Sequence, residues 1–113
     1  MAGKQMQLSA AQKMVSDYNE ACNDGDIHSL LIDAQYLQNI ISQKDCKSVR
    51  FFIALENGLP KGPVGLAQGH TLVLVGVDAD GKNIKRGEDD TQVYEELAPC
   101  PPQCGGGDDG SIL

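Results

Sequence analysis

Basic residues are scarce in this chain. Nine Lys and Arg stand against sixteen Asp and Glu, a net charge of −7. Nucleic-acid binders need a basic patch to displace counterions from phosphate. The nearest cluster, Lys82, Lys85 and Arg86, runs straight into Glu88-Asp89-Asp90. Nucleic acid is therefore excluded as a partner, and anionic membrane surfaces with it; the acidic balance serves solubility. Long apolar runs are missing too. The greasiest stretch, Thr71–Val77, falls far short of the roughly 20 apolar residues of a membrane helix. Met1-Ala-Gly-Lys-Gln-Met-Gln lacks the apolar segment of about 7–15 residues that a secretory signal needs, and Ala2 denies an N-myristoyl group its glycine. A cytoplasmic location is expected, where thiols stay reduced. Neither G-x-G-x-x-G nor a phosphate-cradling G-x-x-x-x-G-K-[ST] occurs, and no internal repeat is visible.

What remains fits one domain, because 113 residues match the usual size of about 100–200. The apolar fraction of 41% is slightly low, partly because of thirteen glycines and five prolines, and eleven of those glycines and all five prolines cluster after residue 56. The expected organisation is a compact domain over residues 8–98 and a Pro/Cys/Gly-rich tail over 99–113, partly disordered.

Ser9-Ala-Ala-Gln12 has the form of a helix capping box. Behind it Leu8, Ala11, Val15, Tyr18 and Cys22 recur at helical spacing, which predicts an amphipathic helix ending at Asn23-Asp24-Gly25-Asp26. A second helix is predicted from about His28 to Lys44, with Leu30, Ala34, Leu37 and Ile41 in one row. Val49-Arg-Phe-Phe-Ile-Ala-Leu-Glu56 alternates, so it reads as a strand that buries Val49, Phe51, Ile53 and Leu55. Residues 57–69 form a glycine- and proline-rich loop. His70-Thr-Leu-Val-Leu-Val-Gly-Val-Asp78 is rich in Cβ-branched residues and apolar on both faces, which places it centrally in a sheet with cover on both sides. Asp80-Gly81 signals a type I′ hairpin returning into a short strand at 83–86. A weakly alternating edge strand follows over 91–97, with either Val93 or Tyr94 inward. The expected fold class is α+β, with two N-terminal helices packed on a three- to four-stranded antiparallel meander. Its core is expected to hold Val15, Tyr18, Leu30, Leu37, Ile41, Phe51, Ile53, Leu72, Val73, Leu74 and Val75.

Four cysteines are the most suggestive chemistry. Cys100-Pro-Pro-Gln-Cys104 has zinc-ligand spacing, but zinc takes four ligands and no second close pair exists. Cys46 and His70 complete such a site only if the fold brings them together. A polyproline run at about 3.1 Å per residue also holds two such cysteines apart unless the chain turns at Pro102-Gln103. Free thiols, a local or cross-chain disulfide, and a metal site all stand as readings. Cys22, on the helix stripe, reads as a small core hydrophobe. A Cys46–His70 nucleophilic pair has no support in the spacing. Asp78-Ala-Asp80-Gly81 places its glycine two positions early for a calcium loop. Glu95 and Glu96 alternate across a strand and cannot act on one atom.

Asp45-Cys-Lys-Ser-Val-Arg-Phe-Phe-Ile-Ala-Leu55, the run from Thr71 to Asn83, and Pro99-Cys-Pro-Pro-Gln-Cys-Gly105 together resemble a group of small bacterial proteins with no assigned activity. The likeness spans roughly residues 28–105 and departs at the long 57–69 loop. It implies that Cys46, Cys100 and Cys104 belong to one pattern, and it carries over no catalytic residue. The expected function is that of a small non-catalytic, soluble interaction or structural protein without a cofactor. Two helices do not suffice to cover a strand that is apolar on both faces, so a homodimer is expected, with a further protein partner unspecified. The alternatives are a thiol-redox or zinc protein using the Cys100–Cys104 segment with Cys46, and an enzyme built around His70 and the 57–69 loop.

Overall fold

The computed structural model describes residues 2–23, 25–55, 70–88, 91–95, 97–100 and 113. The 57–69 loop and the tail from 101 to 112, Cys104 included, lie outside them. The chain runs α1 (Leu8–Ala21), β1 (Ser29–Leu31), α2 (Ala34–Ile41), β2 (Ser48–Leu55), β3 (His70–Val77), β4 (Val93–Tyr94) and β5 (Ala98–Cys100). The class is α+β. A three-stranded antiparallel sheet has the order β2-β3-β4, and a separate antiparallel pair joins β1 to β5.

That second sheet corrects the expected layout, since the two helices do not both precede the strands. Leu30-Leu31-Ile32 is not the start of the second helix. Its burial alternates with period two, Leu30 and Ile32 half-buried and Leu31 outward, the signature of a strand. Residues 98–100 supply the partner, with Ser29 opposite Cys100, Leu30 opposite Pro99 and Leu31 opposite Ala98. Pro99 has no N–H to give a ladder, which is tolerated in a strand with one neighbour. The helix begins only after Asp33.

α1 begins at Leu8 with Gln7 as its cap residue and no side-chain cap bond, so the capping box at Ser9 is not used. The first member of its expected stripe, Leu8, is 63% exposed. Ala11, Val15, Tyr18 and Cys22 are half-buried, but no residue of α1 is fully buried, which removes Val15 and Tyr18 from the core. α1 is held instead by polar ties to the segment before β1. Tyr18 Oη donates to Ile27 O at 2.8 Å, and Asn19 Oδ1 lies 2.6 Å from His28 Nδ1.

The core centres on Ile40, Leu74 and Leu97, with Leu30, Leu37, Leu72 and Tyr94 packed around them. Ile40, rather than its neighbour Ile41, is the buried residue, a one-residue phase error on a short helix. β3 is central, as expected, and the monomer buries both of its faces: Leu74 and Gly76 on one, Thr71, Val75 and Val77 on the other. Directly paired residues of antiparallel strands share a face. Phe51 and Tyr94, each opposite Leu74, therefore lie on the α2 side. There Tyr94 stacks on Tyr36 with ring centroids 4.9 Å apart and accepts a bond from Asn39 Nδ2 at 3.1 Å. Tyr94 is thus the inward residue of β4, and Val93 is exposed.

The exit from β3 is a turn in which Gly81 N donates to Asp78 O at 3.0 Å. Gly81 takes φ +81°, and Asp80 stays out of the left-handed region. This corrects the type I′ expectation, because only one turn residue needs the positive φ. The Asp78 carboxylate accepts from the backbone of Asp80 and of Lys82. Beyond it a single bridge, Val77 to Asn83, replaces the expected strand at 83–86. After Ile84 the chain turns polar at Lys85-Arg86-Gly87 and has no apolar alternation to continue a ladder.

Candidate functional site

β2 is the surface that the fold leaves unfinished. It is an edge strand of eight residues whose only ladder partner among the described residues is β3. The expectation that Phe51, Ile53 and Leu55 are buried is overturned: their exposures are 54%, 71% and 44%. On the other face Phe52 is 43% exposed. The physical reason lies in the reach of α2. Val49 at the start of β2 packs against the core beside this short helix, and none of the later β2 residues does. Exposed edges in natural sheets are usually blunted by charge, proline or a bulge. Ser48–Leu55 has no proline, no glycine and no acid. Its one charge, Arg50, is drawn away: Nη1 donates to Asn83 Oδ1 at 2.6 Å and Nη2 to Gly81 O at 3.3 Å, both beyond β3.

Beside β2 lies an open apolar pocket of about 470 Å³, lined by Tyr18, Ile27, His28, Ser29, Leu30, Ile53 and Leu72. Sequence reasoning misses it because Ser29 and Leu30, which line it, read there as the start of a helix. Its signal is the unbroken apolar run Leu30-Leu31-Ile32 next to the buried Ile27.

The residues singled out for chemistry are dispersed. Cys46 follows α2, half-buried, with Sγ donating to Ser48 O at 3.3 Å and lying against Gly76. His70 is the first residue of β3, opposite Leu55. Gly76 is six positions further along the same strand. At about 3.3 Å per residue, Cys46 and His70 therefore sit roughly 20 Å apart and form neither a nucleophilic pair nor one ligand set. Cys100 ends β5, 2% exposed, with its carbonyl accepting from His28 N at 2.6 Å. It is disulfide-bonded, whereas Cys22 and Cys46 are free; Cys104 lies outside the described residues. Among the described residues no three His, Cys, Asp or Glu side chains gather as a metal site. No described helix is long and apolar enough to cross a membrane.

No family model, curated protein or solved structure matches the chain.

Proposed function

We propose that the protein is a non-catalytic interaction module that works by association, with a second copy of itself as first partner. The observation that carries this reading is the run Phe51-Phe52-Ile53-Leu55, exposed on both faces of an edge strand. Large apolar surface gathered in one place marks an interaction site, whereas scattered exposed residues do not. Sedimentation velocity from micromolar to sub-millimolar protein should show the average mass climbing toward that of a dimer. A monomer across the whole range would count against the reading.

One observation favours a second reading, that of a thiol protein working through Cys100 and Cys104: Cys100 is in a disulfide. Such bonds persist in oxidising compartments and are rare in a reducing cytoplasm. Its burial opposes an exchange role, since an attacking thiolate must reach the sulfur. A disulfide sulfur also offers no thiolate to zinc. On this reading, the intact mass of protein alkylated at lysis, with and without mild reductant, should differ by one labile disulfide. Equal masses would remove the thiol reading.

A further inference from the structure

We infer that the second copy adds its own β2 to this β2, antiparallel about a two-fold axis through Phe52, which merges the two three-stranded sheets into one of six strands. The inference rests on the interaction-module reading above and names its interface.

Hydrogen-bond parity comes first. Gly76 O accepts from Ile84 N at 2.8 Å, and Val77 O accepts from Lys47 N at 2.8 Å. Backbone groups of successive strand residues point to opposite sides. Even positions of β3 therefore face away from β2, and odd positions face toward it. With Phe52 opposite Val73 and Arg50 opposite Val75, the even residues of β2 spend their N–H and C=O groups on β3. Val49, Phe51, Ile53 and Leu55 present theirs at the outer edge.

Symmetry then selects the register. Two-fold pairings are self-complementary, and they are the commonest form of homo-oligomer. An axis normal to the sheet keeps each face continuous, so it pairs only residues of equal parity. With Phe52 on the axis, Phe51 meets the partner's Ile53, and Val49 meets the partner's Leu55. All four outward-facing residues are then satisfied in both copies. Shifting the axis to Phe51 would bring Leu55 opposite Lys47, whose N–H is already given to Val77 O.

The side chains agree with this register. On the α2 face, the partner's Phe51 arrives beside Ile53, at the rim of the apolar pocket. On the other face, Phe52 meets its own copy. No charge enters the seam, because Arg50 is tied to Asn83 and Gly81. The strand carries no acid, and the acidic residues elsewhere are screened beyond a Debye length of about 8 Å. The exposed parts of Phe51, Phe52, Ile53 and Leu55 amount to roughly 400 Å² per copy, taking about 200 Å² for a whole large apolar residue. Two copies bury roughly 800 Å² through these side chains, and the strand backbones add to it. The side-chain share alone falls below the roughly 1,200–2,000 Å² of stable specific interfaces, in the size class of weak, transient ones, so the dimer is a weak one.

The test combines a seam variant, a distant control and a register probe. Ile53→Lys should weaken association in sedimentation by at least about tenfold, as expected for a charge buried at an interface centre. Met14→Lys, on the exposed face of α1, should leave it unchanged. Phe52→Cys should form a disulfide-linked dimer under mild oxidation, since opposed residues in a non-hydrogen-bonded pair lie about 4.5 Å apart at Cα. Leu55→Cys, displaced from its own copy, should not. Circular dichroism confirms that each variant is folded. Association indifferent to Ile53→Lys, or Leu55→Cys linking as readily as Phe52→Cys, overturns the β2 seam and leaves the interaction-module reading standing. A monomeric wild type removes both.

Discussion

Leu74→Ala is expected to destabilise the protein by roughly 2–5 kcal/mol, the cost of a leucine removed from a core that cannot collapse around the gap. Leu74 is fully buried between Ile40 and Leu97. It also sits in the middle of the central strand, with Phe51 opposite on one side and Tyr94 on the other. A domain of this size has only about 5–15 kcal/mol to lose, and each kcal/mol moves its melting temperature by several degrees. A fall of roughly 10 °C or more is therefore the expected result of a thermal melt. Leu31→Ala is the control. Leu31 is 66% exposed on β1, so its removal should change stability by no more than about 0.5 kcal/mol. Similar losses for the two would mean that Leu74 is not the centre of the core.

Gly76→Val should be the second large effect, at about 1–3 kcal/mol of destabilisation. Strand propensity alone argues the reverse, because valine is favoured in strands and glycine is not. The deciding fact is how closely α2 and its exit approach the strand. A Cβ built on Gly76 meets Gln43 Nε2 at 2.8 Å, Cys46 Sγ at 3.1 Å and Ile40 Cγ2 at 3.4 Å. The Gln43 amide donates to Ile40 O at 3.0 Å, so displacing it breaks a bond that ties the helix end. Alanine carries that same Cβ and displaces the same Gln43 amide, but its gain of about 0.5–1 kcal/mol in backbone entropy over glycine offsets the lost bond, so Gly76→Ala should be nearly neutral. Valine adds two methyl groups against Ile40. Chemical denaturation of both variants should rank valine clearly below alanine; a stabilising valine would show that α2 does not rest on this glycine.

The elements legible in the sequence are those with strong local periodicity. β3, β2 and α1 lie where their patterns put them, and Gly81 marks the turn. The elements that sequence misplaces depend on distant partners. β1 reads as the start of a helix until residues 98–100 pair with it, and the strand expected at 83–86 lacks the alternation to extend past one bridge. Burial on β2 is illegible for a different reason. Alternation shows that a strand has an apolar face, but it does not show whether the fold has a layer left to cover it. The two apolar faces of β3 are what lead from sequence to a homodimer, and the monomer covers both. The uncovered surface lies one strand outward, on Phe51, Phe52 and Ile53. Cys46 and His70 flank the same pair of strands in the sequence, and the length of β3 separates them.

The pairing of Ser29 with Cys100 has a further consequence. It closes the chain into a loop that contains α2 and the whole three-stranded sheet, and the β2–β3 ladder closes a smaller loop within it. Loop-closure cost grows only as the logarithm of length, about 0.6 kcal/mol for each doubling. Residues inserted or deleted between Leu55 and His70 therefore change either closure by tenths of a kcal/mol. Between Leu55 and His70, chain length can drift at almost no thermodynamic cost to the ladders on either side.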